Sequence, residues 1–104
     1  MATVYWYGGT GTWSDYANHW SNNSGNSPDS NHGSAPGTDD DVVFDVNSAS
    51  NNYTITINAA ANCANMTFSN PSSGKPTVAG YANALNIYGN SVNYSTCYIL
   101  LFLS

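Results

Sequence analysis

Charged side chains are what this chain most lacks. It has no Arg and no Glu, and Lys75 is its only Lys, whereas six Asp residues give it a formal net charge of −5. Nucleic-acid binding needs clustered cations that neutralise phosphates, so a single lysine argues against a nucleic-acid partner. Binding to anionic membrane surfaces is disfavoured for the same reason.

Helix-forming residues are also scarce. Gln is absent along with Glu and Arg, and the polar residues are instead Asn, Ser and Thr. These residue types favour turns and extended backbone over helix interiors. The composition therefore disfavours a helical bundle, and a length of 104 residues predicts a single domain.

Long apolar runs are limited to one short segment. Tyr98–Leu103 is solidly apolar, but it is far shorter than the ~20 residues of a membrane-spanning helix, so we expect no membrane span. A strand buried on both faces has this composition, and left uncovered it would promote aggregation. We therefore predict that the core, a second copy or further chain covers it. The predicted assembly residues are Tyr98, Ile99, Leu100, Leu101, Phe102 and Leu103.

Cysteine is nearly absent too. Cys63 and Cys97 are the only two, and they lack the closely spaced Cys or His partners of a structural zinc site. They could pair in an oxidising compartment. No secretion signal is visible at the start of the chain, so we favour two reduced, packed thiols.

What the chain does contain is short segments in which apolar and small polar residues alternate. Alternation with a period of two predicts strands that have one buried and one solvated face. Such strands, separated by turn residues, predict an all-β domain, either a short β-solenoid or a β-sandwich. The absence of a strict repeat leaves both open. The segments are Val42–Val46, Tyr53–Ile57, Ala64–Phe68 and Ala84–Tyr88, and Thr77–Gly80 is a further short candidate.

The chain divides into three predicted parts. Residues 1–41 form a long irregular opening segment rich in aromatic residues and Gly, residues 42–90 the β core, and residues 91–104 an apolar C-terminal strand. Within the first part we predict a strand at Thr3–Tyr7, ended by Gly8-Gly9, and one helical turn at Asp15–His19 capped by Ser14.

Three tryptophans in the opening segment recur every seven residues. Trp6, Trp13 and Trp20 have the spacing of a heptad, but the glycines between them exclude a coiled coil. Large rings most often anchor irregular segments onto a core. Aromatic rings beside Asn amides also suit sugar recognition, so Trp13, Tyr16 and Trp20 are the candidate glycan-binding residues.

The densest group of charges is acidic. Asp39, Asp41 and Asp45 could supply the oxygen ligands that Ca²⁺ prefers, and Ca²⁺ is the one cofactor that the sequence suggests. The glycine and closing Glu of an EF-hand loop are missing, and the segment also resembles a turn that leads into a strand. Asp39 and Asp41 could act as an acid–base pair, but nothing indicates a desolvated cleft. We therefore predict no catalytic residues and no enzymatic activity.

Several motifs resemble those of structural proteins of tailed phages. The segments that carry this resemblance are Met1–Trp13, Asn18–Ser21, Ala35–Asp40 and Val42–Asp45. His19 departs from the pattern because it is inserted between Asn18 and Trp20. The later segments Tyr53–Ile57, Met66–Phe68 and Leu85–Gly89 resemble the β rungs of these proteins and of bacterial surface β-solenoid proteins. The resemblance spans roughly residues 1–90 and implies a tail-fibre-like or capsid-decoration protein without catalytic residues.

The expected function follows from these points. We expect a non-enzymatic virion structural or attachment protein that acts through self-assembly. Its partners would be itself or other virion proteins, and it would lie in the virion after synthesis in the host cytoplasm. The alternative is a carbohydrate-binding or adhesin module at the cell surface or outside the cell, with a surface glycan as its partner.

Overall fold

The computed structural model describes residues 2–24, 32–45, 47–68, 76–80, 85–93 and 98–99. These residues form eleven strands and one four-residue helix, so the chain is all-β as predicted. Among them, no helix combines the length and the apolar character needed to cross a membrane. The elements are β1 (Thr3–Trp6), β2 (Gly11–Thr12), α1 (Tyr16–His19), β3 (Trp20–Ser21), β4 (Asp41–Phe44), β5 (Tyr53–Ile57), β6 (Ala61–Cys63), β7 (Met66–Phe68), β8 (Pro76–Gly80), β9 (Leu85–Ile87), β10 (Ser91–Asn93) and β11 (Tyr98–Ile99).

The described strands form three sheets. Sheet A has the order β10-β7-β4-β1-β3, sheet B the order β11-β8-β5-β2, and sheet C pairs β6 with β9. Every pair is parallel except β1 with β3, which is antiparallel. Neighbouring parallel strands cannot be joined by a tight hairpin. From β4 onwards, the chain therefore contributes strands to the other two sheets before it adds the next strand to the same sheet.

The register advances by similar steps in different sheets. In sheet A, Val42 pairs with Met66 and Met66 with Ser91, and these two steps along the chain are almost equal. In sheet C, Ala61 pairs with Leu85, which is the same step as that from Val42 to Met66. From β4 onwards, consecutive parallel strands of one sheet are therefore separated by similar lengths of chain, whereas β1 and β4, and likewise β2 and β5, are farther apart along the chain.

The alternation of residues explains which face of each strand is buried. In β5, Tyr53, Ile55 and Ile57 are buried, and the two threonines between them are partly exposed. The same alternation buries Val42 and Phe44 in β4 and Met66 and Phe68 in β7. The predicted inward faces of these three strands are confirmed. Ala64, Leu85 and Ile87 were also predicted to face inward, but they are only partly buried. Val46 lies outside the described residues.

Some predicted boundaries were wrong. The strand expected at Ala64–Phe68 begins only at Met66, and that expected at Ala84–Tyr88 is β9, Leu85–Ile87. The strand β6, Ala61–Cys63, was not predicted at all, although Ala61 and Cys63 are buried. Small residues such as Ala carry too little apolar contrast to reveal a short strand.

The opening segment is less irregular than predicted. β1 pairs with both β3 and β4, so the core begins at Thr3 and not at residue 42. Val4 and Trp6 alternate with more exposed neighbours and are fully buried. Gly8 and Gly9 end the strand with φ values of 83° and 74°, a backbone conformation that glycine adopts without steric cost.

The core is continuous and strongly aromatic at one end. Trp20 packs edge-on against Trp6 and Trp13, with ring centroids 5.0 and 4.9 Å away. Phe44 stacks on Phe68, its register partner in the next strand, at 4.8 Å and 11°. The tryptophans therefore anchor the opening segment onto the β core. This is the role predicted for them after the glycines between them had excluded a coiled coil.

His19 packs against the aromatic end of the core. Its ring stacks on Trp6 at 4.4 Å with an interplanar angle of 4°. Because a carbonyl can only accept, His19 Nδ1 carries the hydrogen and donates to the Tyr7 carbonyl at 2.7 Å. The predicted helical turn is present as α1, but its N-cap is Asp15 and not Ser14. Together α1 and the antiparallel strand β3 cover β1 at the edge of sheet A.

Candidate functional site

The candidate glycan residues do not share a surface. Trp13 and Trp20 are 2% and 0% exposed, and Trp20 Nε1 donates to the Trp13 carbonyl at 2.8 Å. Tyr16 is 42% exposed. A sugar stacks on a ring only where the ring face is open, so the two buried tryptophans do not suit a glycan platform. Only Tyr16 of the three is at the surface.

Two of the three candidate metal ligands accept hydrogen bonds within turns or between strands. Asp41 Oδ1 accepts hydrogen bonds from the backbone and side-chain nitrogens of Asn65, at 3.1 and 2.8 Å. Asp45 accepts from the Ser24 hydroxyl at 2.6 Å and from the Asn47 backbone at 3.0 Å. Asp39 is exposed. Within the described ranges, no group of three or more His, Cys, Asp or Glu is placed to hold a metal ion.

The predicted assembly segment is described only at its start. Tyr98 and Ile99 form β11, which pairs in parallel with β8 at the edge of sheet B. The predicted strand is confirmed at these two residues. Leu100, Leu101, Phe102 and Leu103 lie outside the described residues, and their role in assembly stays a prediction.

A ladder of polar side chains runs across the solvent-facing side of sheet A. Asn65 donates to Asp41, and Asn65 Oδ1 accepts from the Asn90 backbone at 2.8 Å. The three residues directly precede the register-paired residues of β4, β7 and β10. A second contact of this kind joins Asn86 to Asn62 in sheet C, at 3.2 Å. Each ladder bond links one strand or turn to its neighbour and so supports the register.

An open groove lies beside this ladder. Its volume is about 480 Å³, and its lining residues are Thr3, Asp41, Val43, Asn65, Thr67 and Asn90. Thr3 is the register partner of Asp41, and Val43 is the partner of Thr67. The groove therefore runs across strands, between a polar row and a more apolar row. We refer to it as the sheet A groove.

Sequence reasoning missed this groove. Its lining residues are spread between positions 3 and 90, and only the parallel register brings them together. The available signal was the recurrence of Asp or Asn directly before Val42, Met66 and Ser91, at almost equal intervals along the chain. Short polar side chains at equivalent positions of successive parallel strands can hydrogen-bond along the sheet.

Cys63 is buried in β6 and forms no disulfide with any described residue. Burial, and secondarily the negative charge of Asp41, raises the pKa of Cys63 from 9.0 to about 11. Cys97 lies outside the described residues, so the redox state of the pair stays a prediction. The raised pKa keeps Cys63 protonated at neutral pH, and a protonated thiol is a poor nucleophile.

We expect the folded protein to protect Cys63 from alkylation. We also expect the high pKa of Cys63 to make the folded protein less stable as the pH rises. In a Cys97→Ser variant, iodoacetamide should react far more slowly at pH 8 than after unfolding in urea. Between pH 9 and about 11 the folded state keeps a proton that the unfolded state has lost, so stability should fall as the pH rises through this window. Urea unfolding at several pH values measures this. The free energy of unfolding of the double variant Cys97→Ser/Cys63→Ala should fall less steeply between pH 9 and about 11 than that of Cys97→Ser. If the two variants show the same dependence on pH, Cys63 is not the group responsible.

Comparisons with protein-family models, with curated proteins and with solved structures found no match. The resemblance to structural proteins of tailed phages therefore stays a prediction that rests on the motifs quoted above.

Proposed function

We propose that this protein is a short parallel β-solenoid that serves as a non-enzymatic structural or attachment component of a virion, tail-fibre-like or capsid-decorating. The observation that carries the solenoid proposal is the similar register step in all three sheets from β4 onwards. Such a step is expected if each turn of a solenoid contributes one strand to each of the three sheets, because neighbouring strands are then one turn of chain apart. Examples of these register pairs are Val42 with Met66 in sheet A, Ile55 with Val78 in sheet B and Ala61 with Leu85 in sheet C.

The direction of the strands favours a solenoid over the β-sandwich alternative. Sandwiches are built from antiparallel sheets, whereas the only antiparallel pair among the described strands is β1 with β3. The longer step from Val4 to Val42 accommodates α1 and β3. These elements lie at one end of the stack, where a solenoid needs a covering segment.

The opposite end supports a role in assembly. Among the described residues, β10 and β11 each pair on one side only, with β7 and β8. Open strand edges pair readily with further chains. The low content of charged residues removes an ordinary barrier to self-association. The apolar segment Tyr98–Leu103 includes β11 and continues beyond it in the sequence.

Light scattering coupled to size exclusion tests the assembly. We expect the full chain to elute as a species heavier than 11.0 kDa, the mass of one chain. A Leu101→Asp/Leu103→Asp variant should shift towards 11.0 kDa, because a charge is costly in a buried apolar contact. Tyr88→Asp is the matched control, since Tyr88 is an exposed apolar residue elsewhere. A full chain that stays monomeric across concentrations would refute the assembly.

The virion location needs a separate measurement. Mass spectrometry of density-gradient fractions from the source culture should detect peptides of this chain in fractions that contain phage-like particles. Detection only in cell-envelope fractions would instead favour the adhesin alternative. This result does not depend on whether the isolated chain assembles.

A further inference from the structure

We propose that the sheet A groove binds a neutral glycan chain. The inference depends on the geometry of sheet A alone and is independent of the assembly at β10 and β11. It involves other residues than the predicted glycan-binding residues Trp13, Tyr16 and Trp20.

The groove offers hydrogen-bonding groups that the protein does not use. The hydroxyls of Thr3 and Thr67 and the side-chain amide of Asn90 have no hydrogen-bond partner among the described residues. Hydroxyls both donate and accept, and an amide supplies two donors and an acceptor. Such a set matches a ligand that carries many hydroxyl groups.

Asp41 adds an oriented acceptor. Its Oδ1 is held by two hydrogen bonds from Asn65, so Oδ2 is left to accept from the ligand. A carboxylate that accepts from hydroxyl groups forms the stronger, charge-assisted kind of hydrogen bond. Among the described residues, Asp41 is the one charged side chain that lines the groove, and the chain carries a net charge of −5. Anionic sugars and phosphates are therefore disfavoured.

The shape of the groove suits an extended chain of sugar rings. Val43 provides an apolar contact for the C–H face of a sugar, and Tyr5 is its neighbour on β1. Adjacent strands are about 4.8 Å apart, which is close to the length of one pyranose ring. Successive rings could therefore contact equivalent residues of successive strands.

A peptide fits this surface less well. Extended peptides usually bind by adding a strand to a sheet edge through backbone hydrogen bonds. The groove instead lies on the face of sheet A, across β1, β4 and β7, where backbone groups are already paired between strands. Side chains alone can contact the ligand there, and these side chains are mostly polar.

NMR titration with a panel of short neutral oligosaccharides tests the proposal. In the wild-type protein, we expect at least one glucose-, mannose- or galactose-based oligosaccharide to shift the side-chain amide signals of Asn65 and Asn90. A sialylated oligosaccharide should bind more weakly than its neutral counterpart. The amide signals report on the groove without any substitution, so this measurement does not depend on a variant that folds.

Isosteric variants locate the binding. Thr67→Val and Thr3→Val each remove one groove hydroxyl and should weaken binding by about tenfold, the usual effect of one lost hydrogen bond. Thr56→Val is the matched control, because Thr56 lies on β5 in sheet B. Absence of binding across the neutral panel, or an equal loss in Thr56→Val, would overturn the proposal. Neither result bears on the mass measured by light scattering.

Discussion

Replacement of Phe44 with alanine is expected to lower the free energy of unfolding by about 3–5 kcal/mol. Phe44 is 2% exposed and stacks on Phe68 at 4.8 Å, and it also packs near Trp6 and Trp20. Truncation therefore leaves a cavity where the aromatic end of the core meets the next strand of sheet A. The neighbouring rings of Trp6, Trp20 and Phe68 limit how far this cavity can collapse. Urea unfolding followed by tryptophan fluorescence measures the change.

Two further variants make the Phe44 result specific. Phe44→Leu keeps much of the buried volume and should cost clearly less than the alanine variant. Tyr88→Ala removes another large ring, but Tyr88 is 65% exposed, so its effect should stay within about 0.5 kcal/mol. Similar losses for Phe44→Ala and Tyr88→Ala would contradict the described packing of sheet A.

Replacement of Gly11 with alanine is expected to cost about 3 kcal/mol, the upper end of the range for overpacking. A Cβ at Gly11 would overlap His19 Nε2 and lie 2.6 Å from Cδ2 of the same ring. The His19 ring cannot easily move away, because it stacks on Trp6 and donates to the Tyr7 carbonyl. The loss should appear in urea unfolding and as a weaker near-ultraviolet circular dichroism signal from the tryptophans.

A double-mutant cycle isolates the contact between Gly11 and His19. In a His19→Ala background the ring is gone, and Gly11→Ala should then cost less than about 1 kcal/mol. Gly37→Ala is the matched control, since a Cβ there meets only Asp40 Oδ2 at an ordinary 3.7 Å. Additive losses in the cycle would show that Gly11 is needed for another reason.

These two sites also show how far the sequence alone could lead. The alternation around Phe44 predicted that its side chain faces inward, because only one face of a strand in this pattern is apolar. Nothing in the sequence paired Phe44 with Phe68, since that contact depends on the length of chain between two parallel strands of one sheet. The approach of Gly11 to His19 was likewise invisible, because it joins a short strand to the end of a short helix.

The candidate sites also separate what the sequence could predict from what only the tertiary structure could show. The sequence favoured the core for Trp13 and Trp20 and left a sugar platform as the alternative, and their burial agrees with the core. The sheet A groove was missed because neighbours such as Thr3 and Asp41 are far apart in the chain. Contacts of this kind arise only when strands align, and no local pattern records which strand aligns with which.

The sequence by itself determined that the chain is all-β and which side chains of β4, β5 and β7 are buried. Both follow from composition and from alternation within a few residues, where backbone geometry dictates the outcome. The tertiary structure alone decided that all but one of the described strand pairs are parallel, that β3 covers β1 at the edge of sheet A, and that polar residues from distant segments form a groove. These features depend on long-range pairing, whose free energy comes from contacts between segments and not from the residues of any one segment.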